Sequence, residues 1–139
     1  TPGDVQRFTA LTKKLVQQYN KYEALPGKFV NGELTLGENI GDLAGLSIAY
    51  DAYKKSLNGQ EAPVLGGLTG DQRFYLGWAQ VWRQKMREPT LVQLLLTDPH
   101  SPTRYRTLVV RNMDPWYGAF DVKPGEKLYL PPEERVRVW

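Results

Sequence analysis

The sequence predicts a mainly α-helical single domain of three to five helices, with strand confined to a short hairpin or turn piece. Three observations point there. Apolar residues recur at helical spacing in several stretches, and helix-starting and helix-stopping residues bracket them. The third is size: 139 residues, 41% hydrophobic and 12% aromatic, suffice for one packed core.

The first helix is expected from Thr1 to about Tyr22. Thr1 serves as N-cap, Pro2 takes the first helical position and Asp4 lies in the first turn. Val5, Phe8, Leu11, Leu15, Val16 and Tyr19 form its apolar face, and Pro26-Gly27 stops it. Asn31-Gly32, between short apolar runs, suits a type I′ turn or small hairpin. A second helix follows from about Leu36 to Leu57, ending in a left-handed cap at Asn58-Gly59. Ile40, Leu43, Ala44, Ser47, Ile48 and Tyr50 are its expected buried face, with Gly41, Gly45 and Ala49 permitting close helix approach. After a loop from Gly59 to Leu68, Thr69-Gly-Asp-Gln72 is a capping box. Phe74, Trp78, Val81, Trp82 and Met86 carry that helix at core spacing as far as Pro89. An apolar run from Leu91 to Leu96 precedes the polar loop Thr97 to Pro102, Asp114-Pro115 opens a further helix, and the end is irregular.

Composition excludes several functions. Charged residues make up 24% and the net charge is +3, without a run of five like charges, so the clustered basic face of a nucleic-acid binder is lacking. With no cysteine there is no disulfide, thiolate metal site or cysteine nucleophile. No apolar stretch approaches the ~20 residues needed to cross a membrane. The chain begins at Thr1 without a signal-like segment and reads as a piece of something longer, or as a processed chain. His100 is the single histidine. A catalytic zinc site draws about three protein ligands, chiefly nitrogen or sulfur, so any zinc chemistry needs ligands from outside this chain.

Two clusters could carry chemistry. Glu38 and Asp42 sit four apart at the start of the second helix, which stacks both carboxylates on one face. They suit a charge pair stabilising the helix N-terminus, or a metal-ligand carboxylate with a partner that orients another ligand. A glycosidase acid/base pair is a third option, weakened because both residues share one helix. His100 lies between two prolines in Asp98-Pro-His-Ser-Pro102, which hold the backbone and with it the ring. Asp98 can orient its imidazole. Arg106, with Arg104 nearby, offers a fixed fork of donors for a carbonyl or carboxylate, although a salt-bridged surface arginine fits the composition equally.

Taken together, three strings resemble one family. Val30-Asn-Gly-Glu-Leu-Thr-Leu-Gly-Glu-Asn-Ile-Gly-Asp42 is similar to the segment that follows the HExxH helix in neprilysin and endothelin-converting enzyme. Thr97-Asp-Pro-His-Ser-Pro-Thr-Arg-Tyr-Arg106 resembles that family's later histidine–arginine loop, and Arg135-Val-Arg-Val-Trp139 resembles its closing Cys-Arg-Val-Trp. The resemblance spans nearly the whole chain. It implies the C-terminal part of a thermolysin-like (gluzincin) catalytic domain of a zinc metallopeptidase acting on peptide substrates.

In that family Glu38 matches the third zinc ligand, and Asp42 the aspartate that hydrogen-bonds a zinc-bound histidine. His100 matches the stabiliser of the oxyanion, and Arg106 the arginine that binds a substrate backbone carbonyl. The chain departs from the pattern in holding no HExxH, and in carrying Val122 and Val136 where animal members have disulfide cysteines and Gly41 where alanine is usual. The resemblance therefore implies a bacterial-type member of periplasmic, cell-envelope or secreted location. It also implies that these residues alone are inactive and complete their site with the missing N-terminal part of the same enzyme. The competing expectation is a noncatalytic helical module that binds peptides or partner proteins.

Overall fold

Thr1 and Asp4 cap the first helix reciprocally: the Thr1 hydroxyl accepts from the Asp4 backbone N–H, and the Thr1 backbone nitrogen donates to the Asp4 carboxylate. In the computed structural model, which describes residues 1–137, α1 runs Pro2–Asn20. Only its C-terminal half is covered. Leu15 and Tyr19 are fully buried, whereas Val5 and Phe8 are 65% and 42% exposed. From Lys14 onward α1 is tied by hydrogen bonds to Tyr105, Asn112 and the carbonyls of Glu133 and Glu134.

The hairpin forms one turn earlier than the Asn-Gly pair suggested. β1 (Glu23–Leu25) pairs antiparallel with β2 (Lys28–Phe29) across Pro26-Gly27, and Gly27 takes a φ of +71°. Proline followed by a left-handed glycine is the chemistry of a type II turn. Asn31-Gly32 opens a separate tight turn over residues 32–35, where Asn31 Oδ1 accepts the Leu34 N–H. It packs on α1: the Gly32 N–H donates to Asn20 Oδ1 at 2.6 Å, and a Cβ at Gly32 would lie 2.4 Å from the Val16 carbonyl oxygen. Gly32→Ala is therefore expected to cost about 1–3 kcal/mol through overpacking, read as a lower midpoint in urea unfolding. An unchanged midpoint would show that α1 can shift away at no cost.

Helix α2 (Leu36–Ser56) ends where Asn58 and Gly59 turn left-handed, at φ +50° and +77°. It buries Asn39, Asp42, Leu43, Leu46 and Tyr50. Ile48, expected inside, is 66% exposed, and no atom lies near Gly41 or Gly45, so no helix of the described residues makes the expected close approach there. Helix α3 (Gly70–Val81) starts on the Thr69–Gln72 capping box but stops at Val81, which is 70% exposed. Pro89 does not end that helix. It sits in the first turn of a separate one, α4 (Glu88–Thr97), where its missing N–H needs no partner. α5 (Thr103–Arg106) continues into a 3₁₀ turn, Thr107–Asn112, and then α6 (Asp114–Phe120).

The core is rich in tyrosine, and the buried hydroxyls mostly find backbone carbonyls. Tyr105 donates to Glu23 O, and Tyr117 to Arg111 O. Burial raises the Tyr19 and Tyr105 phenols above their ordinary pKa, keeping them neutral donors. A reciprocal amide pair, Gln18 with Asn112 at 2.9 and 3.0 Å, joins α1 to the 3₁₀ turn. Asn112 also accepts from the Val136 N–H, which draws the C-terminal segment onto the core. Of the closing motif, Val138 and Trp139 lie outside the described residues.

Candidate active site

Two segments distant in sequence meet at the N-terminal end of α2. Glu38, in the first helical turn, and Asp42, one turn on, diverge in environment: the Glu38 side chain is 45% exposed and that of Asp42 only 8%. His100 hangs from the loop after α4, and Arg106 closes α5. The fold pairs them crosswise. His100 Nε2 lies 3.2 Å from Glu38 Oε2, and Arg106 grips Asp42 through two hydrogen bonds.

The histidine is held by its own loop. Asp98 Oδ1 accepts the His100 backbone N–H at 2.8 Å and faces ring Nδ1 at 2.7 Å. Those hydrogen bonds, the backbone one foremost, keep the Asp98 carboxyl below the usual carboxylate range. The stability they lend is present above the unfolded value and is lost as pH falls through the depressed one, so acid loosens the loop. With Nδ1 turned to Asp98, Nε2 is the ring atom left facing the gap beside Glu38.

Arg106 is fixed on two sides. Its Nε and one terminal nitrogen donate to the two Asp42 oxygens at 2.7 and 2.6 Å, and its guanidinium stacks 3.9 Å from the centre of the Trp82 ring. The hydrogen bonds from Arg106 to Asp42 raise its already high pKa further, so it is cationic at every working pH. Asp42 uses the side-on edge of the guanidinium, and among the described residues no hydrogen bond engages the second terminal nitrogen. A cleft of about 290 Å³ opens beside Arg106 and His100, with Met86, Leu91 and Leu94 in its wall.

All four residues singled out in the sequence are thus brought together. Arg104 is not among them and lies over the Tyr105 ring. The pairing of Asp42 with Arg106, the Trp82 platform and the buried pair Asn39–Ser101 were not foreseen. Trp82 read as a core residue from its helical spacing, and Asn39 and Ser101 carry no signal beyond membership of the two motifs.

Among the described residues no three histidine, cysteine, aspartate or glutamate side chains converge to hold a metal ion. The donor chemistry fits one corner of such a site. Glu38 offers an accessible carboxylate oxygen beside an imidazole, while both Asp42 oxygens are engaged by Arg106 and Asp98 Oδ1 by His100. Zinc held by three protein ligands would take the others from residues beyond these.

His100 and Arg106 line one cleft, and Glu38 and Asp42 contact them from the start of α2. The model of peptidase family M13 matches residues 1–136. Endothelin-converting enzyme 1 of Mus musculus is 41% identical over 99% of this chain, and Neprilysin-3 of Drosophila melanogaster 34% over 97%. The Mycobacterium tuberculosis zinc metalloprotease ZMP1 superposes in its inhibitor complex with a TM-score of 0.92 at 51% identity over 95% of this chain. Its open state superposes with a TM-score of 0.95 over 100%. This chain belongs to peptidase family M13, the neprilysin and endothelin-converting-enzyme family of zinc metallopeptidases. It spans 18% and 17% of the two relatives and 21–23% of the ZMP1 chains. No helix of the described residues is long and apolar enough to cross a membrane.

Proposed function

We propose that the chain is the C-terminal portion of a zinc metalloendopeptidase catalytic domain, which hydrolyses peptides once joined to the rest of its enzyme. The observation that carries this reading is the 3.2 Å approach of His100 Nε2 to Glu38 Oε2, which sets a candidate metal ligand beside a candidate oxyanion donor. Glu38 would hold the zinc, and Asp42 would orient a histidine ligand through a lone pair that Arg106 leaves free. Bound zinc would polarise the attacking water and the scissile carbonyl. His100, steadied through Nδ1 by Asp98, would donate from Nε2 to the oxyanion of the tetrahedral intermediate. The free terminal nitrogen of Arg106 would hold a backbone carbonyl of the peptide in the adjoining cleft. One zinc ligand cannot make a working centre, so these residues by themselves are inactive and the rest of the enzyme is their obligate partner. Periplasm, cell envelope or exterior is the location we assign, on the resemblance to a family of ectoenzymes and secreted enzymes.

The test is His100→Ala in the full-length protein, with zinc content and cleavage of an internally quenched peptide as readouts. Zinc is expected to stay at wild-type stoichiometry while kcat falls by roughly 100- to 1000-fold, the usual loss for one oxyanion donor. A normal kcat would remove His100 from the reaction.

A further inference from the structure

The first motif carries three polar side chains four residues apart, Asn31, Thr35 and Asn39, and the proposed reaction uses none of them. The fold links the last two to Ser101 in a single chain. Ser101 Oγ donates to Asn39 Oδ1 at 2.8 Å, Asn39 Nδ2 donates to Thr35 Oγ1 at 2.9 Å, and the Thr35 hydroxyl donates to the Asn31 carbonyl at 2.9 Å. Thr35, Asn39 and Ser101 are buried, at 3%, 1% and 2% exposure. Every donor points the same way along the chain, so the Asn39 amide is fixed at both ends and cannot flip without stranding a buried partner.

The position of this chain matters more than its length. Asn39 directly follows Glu38, and Ser101 directly follows His100. The buried bond between the two segments therefore lies one residue from each member of the His100–Glu38 pair. That pair is itself 45% exposed on both sides, and a solvent-screened contact is a weak tether for a loop. Asp98 orients the ring from within the same loop. Arg106 binds α2 to α5, beyond the loop.

We propose that Asn39 and Ser101 are positioning residues, and that the buried chain from Asn31 to Ser101 sets where His100 Nε2 stands relative to Glu38. The proposal rests on the reading of His100 as the oxyanion donor. Sub-ångström placement matters at such a site, because a displacement of about 1 Å can cost on the order of 100-fold in rate.

The experiment is a double-mutant cycle in the full-length protein on the same quenched peptide. Ser101→Ala is expected to lower kcat by roughly 10- to 100-fold with KM and zinc content unchanged. Ser101→Thr, which keeps the hydroxyl, is expected to recover most of that loss. The deciding readout is the background: Ser101→Ala added to His100→Ala is expected to slow the enzyme no further. A normal kcat in Ser101→Ala, or the same fold-loss with and without His100, overturns the positioning role and leaves the catalytic reading standing. A normal kcat in His100→Ala alone sinks both. Should Ser101→Ala fail to fold, Thr35→Val breaks the next link and must show the same dependence on His100.

Discussion

Glu38→Gln in the full-length protein is expected to lose bound zinc and peptide hydrolysis together while the fold survives. The substitution keeps shape and hydrogen-bonding capacity but removes the negative charge that makes a carboxylate oxygen a zinc ligand. Partners that merely orient a ligand cost about 10- to 100-fold when removed, so loss of a direct ligand should exceed that range. Stability should barely move. Glu38 is half-exposed in the first turn of α2, where its charge is worth about 0.3–1 kcal/mol to the helix dipole, and its contact with His100 is solvent-screened. Metal analysis and turnover on one preparation, beside a thermal melt, separate the effects. Retained zinc and retained turnover would remove Glu38 from the metal site and reduce the Glu38–Asp42 pair to a helix-start stabiliser.

How much of this was legible in the sequence depends on the range of the interaction. Local chemistry could be read: the Thr1 N-cap, the Thr69 capping box and the left-handed stop at Asn58-Gly59 are set by residues within a few positions of one another. Ambiguous local signals went astray. Pro89 serves equally as a stop or as a first-turn residue, and the short separate helix α4 settles which. Pro26-Gly27 and Asn31-Gly32 are both turn dipeptides, and close packing of Gly32 against Val16 decides which of them turns the hairpin. Periodicity gave the faces of α1 and α2 but not their extent of cover, since Val5 and Ile48 stay 65% and 66% exposed among the described residues.

The site divides in the same way. Glu38, Asp42, His100 and Arg106 were each visible as residue types in motifs, and family resemblance grouped them. Which atom faces which was not visible. Crosswise pairing arises only when the fold brings His100 to Glu38 and Arg106 to Asp42, and Trp82, the residue after α3, meets Arg106 from a distant part of the chain. Spacing along the chain encodes none of this.

The buried half of the site is where stability is most exposed to mutation. Asp42→Ala removes both acceptors from Arg106, whose side chain is only 15% exposed and lies against Trp82. The guanidinium cannot shed its charge; Asp42 is the carboxylate that hydrogen-bonds it, while Glu38 and Asp98 act on it only at longer range. Breaking such a pair from one side costs about 3–5 kcal/mol, because a buried charge is left uncompensated. The urea midpoint is expected to fall accordingly, with a smaller loss in Asp42→Asn, which retains one acceptor oxygen and the local volume. Pairing Asp42→Ala with Arg106→Met tests the cause. If the stranded charge is responsible, the double variant recovers most of the stability, since a methionine can fill the space over Trp82 without needing a partner. Equal destabilisation in single and double variants would instead assign the loss to packing around Asp42.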